Sequence, residues 1–233
     1  MNLQKLTQPV SIAVDGPVGA GKSSLCDALA KRLNILHLDT GAMYRAIGLH
    51  ALMAGISQDD EAALAAMLER DEARIRVDFQ NGAQVTYLNG VDVTNRLREE
   101  AVGKAASAVS RFAAVRRYLV RLQQQVARER SLIIDGRDIG TVVLPDAKIK
   151  IYLTASAEER AMRRYRQLVN AGKEADYEQV LADLKARDHQ DQNRAVDPLR
   201  PAEDAVILDS TGMSFEENLE RMVDIVNEAY GKH

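Results

Sequence analysis

Ser11-Ile-Ala-Val-Asp-Gly-Pro-Val-Gly-Ala-Gly-Lys22-Ser-Ser24 is the stretch of the chain that decides its fold. It begins with a short apolar run of the kind that forms a buried parallel strand. A glycine-rich loop of the pattern G-x-x-x-x-G-K-[ST] follows at once, and beyond it Leu25, Leu29 and Leu33 recur at helical spacing. A strand, a loop and a helix in this order predict an α/β fold, with the loop at the carboxyl end of its first strand.

The glycine-rich loop predicts a site for the phosphates of a nucleoside triphosphate. Its glycines let several backbone amides point at one phosphate chain, and the helix N-terminus adds its positive end. We expect Lys22 to bridge the β- and γ-phosphates and the hydroxyl of Ser23 to ligate Mg²⁺. The residues expected to contact the donor nucleotide are Gly16, Pro17, Val18, Gly19, Ala20, Gly21, Lys22, Ser23 and Ser24. The loop alone does not specify which reaction is catalysed.

Four further apolar runs are typical of parallel strands, and they are Ile35–Asp39, Leu132–Asp135, Ile149–Leu153 and Ala205–Asp209. Amphipathic stripes such as Val115–Val126 and Phe215–Val226 indicate helices between them. The alternation predicts a three-layer P-loop core, in which a five-stranded parallel sheet is flanked by helices. Ligands gather at the carboxyl ends of such strands, so Asp135 either supports Mg²⁺ through a water molecule or satisfies the amides of a local turn.

The middle of the chain departs from this rhythm. Residues 73–93 alternate between apolar and polar side chains, and two turn signals, Asn81-Gly82 and Asn89-Gly90, interrupt them. This pattern predicts a small antiparallel sheet with one solvated face. The resulting division is a core of residues 1–59 and 111–233 with an insertion of residues 60–110.

The composition argues against several classes of protein. The chain has 233 residues, a net charge of −3, 4% aromatic residues and no Trp, which disfavours nucleic-acid binding. No apolar run approaches the roughly 18 to 20 residues that span a bilayer. The single cysteine, Cys26, is interpreted as a packed apolar residue, and the isolated His37 and His50 indicate no further metal site. We expect a cytoplasmic protein, a monomer, with no nucleic-acid or membrane partner.

Four segments together resemble the bacterial cytidylate kinase family, and they are Ile12–Lys22, Leu38–Arg45, Asp135–Val143 and Arg187–Arg194. They occur in the order expected of that family, and the likeness covers nearly the whole chain. The resemblance implies a nucleoside-monophosphate kinase fold, in which residues 60–110 form a CMP-binding insertion and residues at about 160–195 a short mobile lid. It also implies transfer of the γ-phosphoryl group of ATP to CMP or dCMP with Mg²⁺, in pyrimidine nucleotide metabolism.

The resemblance further implies roles for residues that match the family's motifs. Thr40 and Arg45 would contact the acceptor nucleotide, while Ser107 and Arg116 would read the cytosine ring. Asp138 would accept a hydrogen bond from the exocyclic amine. The residues implied around the phosphates and the sugar are Arg137, Arg187, Asp191 and Arg194, and the implied catalytic set is Lys22, Arg137, Arg187 and Arg194.

These residue types suit phosphoryl transfer for general chemical reasons. The protein's task is positioning and charge neutralisation, and arginine holds phosphate oxygens in pairs without losing its charge. Cytosine offers an amine to a carboxylate such as Asp138, whereas uracil presents a carbonyl there. A buried mismatch of that kind costs roughly 1–3 kcal/mol, which corresponds to about 10- to 100-fold discrimination.

Several of these residues also have a purely structural interpretation. Arg116 could be a surface arginine, and Thr40 a turn-forming hydroxyl. Asp188 and Asp191 could be helical partners of neighbouring cations. A basic cluster on one helix is interpreted as a solvated face, and its members are Arg160, Arg163, Arg164 and Arg166.

Two departures from the family pattern leave the preference between CMP and dCMP open. Lys22 is followed by two serines rather than by glycine and a hydroxyl residue, and the second strand ends in Asp-Thr-Gly rather than Asp-Ser-Gly. Two other functions also stay open. One is a kinase for UMP, shikimate or a coenzyme precursor on the same core. The other is a nucleotide-dependent switch, although the chain has no Asn-Lys-x-Asp segment.

Overall fold

The computed structural model describes residues 9–231, and these residues form two sheets. The strands are β1 (Ser11–Asp15), β2 (Leu36–Asp39), β3 (Ile75–Gln80), β4 (Ala83–Leu88), β5 (Val91–Asp92), β6 (Leu132–Gly136), β7 (Ile149–Thr154) and β8 (Val206–Asp209). The larger sheet has the order β2-β6-β1-β7-β8, and all of its pairs are parallel. The predicted five-stranded parallel sheet is confirmed, with boundaries within one residue of those expected.

Helices cover both faces of this sheet. They are α1 (Lys22–Leu33), α2 (Thr40–Met53), α3 (Glu61–Glu69), α4 (Glu100–Val109), α5 (Ala113–Glu129), α6 (Ala157–Asn170), α7 (Tyr177–Asn193) and α8 (Phe215–Tyr230). Successive strand residues point to opposite faces, so Val14 lies in an apolar cluster with α1 and α8, while Ala13 lies in another with α2 and α5. The predicted three-layer core is therefore confirmed. None of the helices within residues 9–231 combines the length and apolarity needed to cross a membrane.

The small sheet consists of β3, β4 and β5, paired antiparallel as predicted. Asn81 and Asn89 have φ angles of 52° and 51°, which suit the Asn-Gly turns expected there. Leu64 and Leu88 of the insertion belong to the same apolar cluster as Ile134 of the large sheet. The insertion thus packs onto one face of the core, and its assignment to CMP binding stays a prediction.

The carboxyl ends of β1, β2 and β6 lie side by side. Asp39 and Asp135 are register partners, and Asp15 lies opposite the last residue of β6. Gly16 follows at the start of the glycine-rich loop, where a Cβ atom would lie 1.9 Å from the carbonyl oxygen of Leu153. Only glycine permits that approach, which brings the loop over the edge of the sheet.

Candidate active site

A cavity of about 330 Å³ opens where these strands end. The glycine-rich loop lines part of it, and residues of α2, α4, α5 and α7 line the rest together with the residues that end or follow β2 and β6. The predicted site residues that line it are Val18, Gly19, Gly21, Lys22, Ser23, Ser24, Thr40, Arg45, Ser107, Arg116, Asp135, Arg137, Asp138, Arg187, Asp191 and Arg194. Gly16, Pro17 and Ala20 belong to the loop but do not line the cavity.

Lys22 is folded back onto its own loop. Its Nζ atom donates hydrogen bonds to the carbonyl oxygens of Gly16 and Pro17, at 2.7 and 2.8 Å, and the residue is only 6% exposed. Burial and the positive charge of Arg137 lower the pKa of Lys22 from 10.5 to about 7. A nearby phosphate anion would favour the protonated amine, which is the charge that a donor nucleotide needs there.

Asp135 connects the loop to β2. Its Oδ2 atom accepts a hydrogen bond from the hydroxyl of Ser23 at 2.8 Å, and its Oδ1 atom lies 2.9 Å from Nε2 of His37. Burial alone would raise the pKa of Asp135, but the contacts with His37, Lys22 and Ser23 hold it below its ordinary value. The carboxylate is therefore anionic, and it serves side chains from other elements instead of a local turn. The pairing of His37 with Asp135 was not predicted, because these residues are 98 positions apart.

The donor set at this point fits Mg²⁺. A serine hydroxyl and an anionic carboxylate supply hard oxygens, which this ion prefers, and it usually keeps several waters. Within residues 9–231 no group of three or more His, Cys, Asp or Glu side chains could hold a metal alone. The remaining oxygens would come from water and from nucleotide phosphates.

Arg116 is buried, so its interpretation as a surface arginine is wrong. The residue is 2% exposed. Its Nη2 atom donates to the carboxylate of Asp138, and its Nε atom donates to Asp197 Oδ2 at 2.8 Å. Arg194 lies on the other side of Asp138, with Nη2 3.6 Å from Oδ1, and the ring of Tyr44 stacks 5.8 Å from the guanidinium of Arg116. A carboxylate held between two guanidinium groups therefore lines the cavity.

Arg45, Arg137 and Arg187 have fewer hydrogen-bond partners than Arg116. Arg45 pairs with Asp39 at 2.7 Å, and that carboxylate also caps α2 by accepting from the amide of Ala42. Arg137 pairs with Asp191 at 2.9 Å, so Asp191 is not a helical partner of neighbouring cations.

Arg187 stands out in this group because its buried Nε atom has no hydrogen-bond partner in the described structure. Burial and the charge of Arg137 lower its pKa. Such a cluster of desolvated positive charge is suited to an anionic group.

Thr40 and Ser107 contribute smaller contacts. The Thr40 hydroxyl donates to the carbonyl oxygen of Asp135 at 2.7 Å, which ties the start of α2 to the end of β6. Its oxygen can still accept a hydrogen bond from a ligand. Ser107 lines the cavity from α4, and its carbonyl accepts from Ser110.

Two features beside the cavity were not predicted as functional. Arg160 is 5% exposed and pairs with Asp188 on a different helix, so the solvated-face interpretation is wrong for this member of the basic cluster. Asp15 is also buried, and it accepts from the amides of Ile139 and Gly140 at 2.7 Å each. No local sequence signal marks either residue, because their partners come from distant parts of the chain.

A phosphate-binding loop at the end of a parallel sheet, facing an arginine-rich cavity, defines a P-loop phosphotransferase. The protein-family model for cytidylate kinase matches residues 12–228. The cytidylate kinase of Caldicellulosiruptor saccharolyticus is 46% identical over 222 residues, which cover 95% of this chain and 97% of that protein. The cytidylate kinase of Pasteurella multocida is 47% identical over 225 residues, with coverages of 96% and 97%. The chain therefore belongs to the cytidylate kinase family, and the resemblance seen in its sequence is confirmed.

Solved structures add support for the fold alone. An uncharacterized protein from Eubacterium ventriosum has a TM-score of 0.53 at 12% identity, covering 95% of this chain and 99% of its own. At that identity the likeness supports the architecture and says nothing about the substrate.

Proposed function

We propose that this protein transfers the γ-phosphoryl group of Mg-ATP directly to CMP or dCMP, with the two nucleotides bound at opposite ends of one cavity. The phosphorylation of CMP and dCMP is the activity of its family. The observation that carries the proposal is the buried Asp138 carboxylate, which accepts a hydrogen bond from Arg116 and lines the same cavity as the phosphate loop.

The donor end would hold ATP through the loop amides and Lys22. Ser23, and Asp135 through water, would hold Mg²⁺, which when bound neutralises charge on the β- and γ-phosphates. Arg137, Arg187 and Lys22 would neutralise the repulsion between donor and acceptor phosphates, and so let them approach in line.

The acceptor end would hold CMP with charged side chains from several elements. Arg45 would bind its phosphate, assisted by Thr40, and Asp191 would contact the sugar hydroxyls. Ser107, Arg116 and Asp138 would read the base, so residues 60–110 would act as the CMP-binding insertion by supplying Ser107.

The predicted lid corresponds to α6 and α7. Arg187 and Arg194 lie on or directly after α7. Closure of this helix pair over both bound nucleotides would exclude water from the transferring phosphoryl group.

Steady-state rates with CMP, dCMP, UMP, AMP and shikimate, each with Mg-ATP, test the proposal. We expect CMP and dCMP to be the best acceptors, with UMP about 10- to 100-fold lower in kcat/KM. A rate with UMP or shikimate that exceeds the rate with CMP would overturn it.

A further inference from the structure

Arg160 occupies the space between the phosphate loop and the helix pair α6–α7. Its Nη1 atom donates to the carbonyl oxygen of Val18 in the loop at 2.9 Å. The same guanidinium donates two hydrogen bonds to the carboxylate of Asp188 on α7, at 3.1 and 2.7 Å. Its Nε atom donates to the carbonyl oxygen of Ala155, which fixes the side chain at the base of its own helix.

The two partners of Arg160 belong to different elements of the active site, the phosphate loop and α7. Val18 lies in the loop that faces the donor phosphates, and it contacts Arg160 through its carbonyl rather than its amide. Asp188 is flanked on α7 by Arg187 and Asp191, which line the acceptor part of the cavity. One guanidinium therefore spans the donor loop and the helix that carries acceptor-side groups.

Burial makes this contact effective as a positioning device. The side chains of Arg160 and Asp188 are 6% and 14% exposed, so water screens their attraction far less than that of a surface pair. The planar fork of arginine matches both carboxylate oxygens at once, which fixes orientation as well as distance. A Cβ atom at Gly19 would lie 3.3 Å from Cβ of Arg160, so α6 already lies directly against the loop.

We propose that Arg160 and Asp188 are a positioning pair that sets the distance between the phosphate loop and α7, and through it the placement of Arg187 and Asp191 on the acceptor. Neither member of the pair lines the cavity, so both act through other residues. The proposal rests on the proposed function, because it assigns the pair to the same transfer from ATP to CMP.

Kinetics of Arg160→Met, Asp188→Asn and the double variant test the pair. At saturating ATP we expect each single variant to raise KM for CMP and lower kcat, with about 10- to 100-fold loss in kcat/KM. KM for ATP should change by less than about threefold, since the loop amides and Lys22 are untouched. The double variant should have a kcat/KM for CMP no lower than that of the less active single variant, because the two side chains act as one unit. Arg160→Lys should be intermediate, since an ammonium group cannot make both parallel bonds.

The chain offers a matched control. Lys185 and Glu158 join the same two helices at 3.1 Å, but they are more than half exposed and do not contact the loop. We expect Lys185→Met and Glu158→Gln to keep kcat/KM within about twofold of the wild type.

The outcomes distinguish a failure of the positioning role from a failure of the proposed CMP kinase activity. A wild-type protein without CMP kinase activity would remove the proposed function. An active wild type whose Arg160 and Asp188 variants match the Lys185 control would overturn the inference alone. Additive losses in the double variant, or equal losses in KM for ATP and for CMP, would also overturn it. The melting temperature of each variant is measured first. All kinetics are then run below the lowest of these temperatures, so that every variant is folded.

Discussion

The two ends of the cavity are built in different ways. At the donor end the binding groups are contiguous, within residues 16–24, and the one buried cation there, Lys22, is satisfied by carbonyl groups of its own loop. At the acceptor end the groups come from α2, α4, α5, the end of β6 and α7, and most of the arginines are paired with carboxylates from other elements.

This difference has consequences for function. A loop that binds phosphates through backbone amides does not distinguish one nucleoside triphosphate from another. The donor end therefore supplies charge and geometry for the chemistry. A carboxylate held between guanidinium groups presents a fixed pattern of charge to a base, so the acceptor end supplies specificity. Substitutions at the donor end should therefore lower turnover, whereas substitutions at the acceptor end should change the preference between acceptors.

The largest effect is expected at the donor end. Lys22→Met should lower kcat by about 10³-fold with little change in the melting temperature, because a cation aimed at the transferring phosphate is lost. Lys31→Met on the same helix is the control, since Lys31 is exposed and pairs only with Asp27. Steady-state kinetics and circular dichroism measure both. Unchanged turnover in Lys22→Met would refute its role.

The next largest effect is expected for Arg187, whose buried Nε atom has no hydrogen-bond partner among the described residues. Arg187→Met should lower kcat/KM for CMP by about 10²-fold while leaving the free energy of unfolding unchanged or about 1 kcal/mol higher. The reason is that Arg187 is desolvated beside Arg137 and its Nε atom has no partner in the described structure. Urea unfolding without nucleotides is the measurement. Arg164→Met, at an exposed position, should change neither quantity. A clear loss of stability in Arg187→Met would point to a structural role.

A smaller effect tests base recognition. Asp138→Asn should weaken the binding of CMP. It should also lower the ratio of kcat/KM for CMP to kcat/KM for UMP by about 10-fold, because an amide can donate to the uracil carbonyl. Asp197→Asn neutralises the other carboxylate partner of Arg116 without touching the cavity lining, so it should shift this ratio by less than about threefold. Equal losses with both acceptors in Asp138→Asn would indicate that Asp138 only holds Arg116.

The smallest effect is a pH dependence of stability. Burial raises the pKa of Asp15 from 3.8 to about 6. Its contribution to the free energy of unfolding is thus full below about pH 4 and lost as the pH rises through about 6. Relative to Asp15→Asn, the wild type should lose about 2 kcal/mol between pH 4.5 and pH 7, in urea titrations at several pH values. A difference between the two proteins that stays flat or grows with pH would contradict this.

Much of the fold could be predicted because its signals are local. The apolar runs became the five parallel strands, and the Asn-Gly pairs became the turns of the small sheet. The surroundings of the charged side chains could not be predicted in the same way. Arg116 has its two carboxylate partners 22 and 81 positions away, and Arg160 has Asp188 28 positions away. Helical spacing alone made both look like surface arginines.

The sequence by itself determined the phosphate loop, the α/β class and the family, because each depends on residues that are neighbours in the chain. The pattern Gly-x-x-x-x-Gly-Lys-Ser directly after a strand can be recognised in the sequence without knowing any distant contact. Only the tertiary structure decided that Arg116 is buried against Asp138, that His37 meets Asp135 and that Arg160 joins the loop to α7. The physical reason is that burial and charge pairing act through space, so they appear only when the sheet brings distant strand ends together.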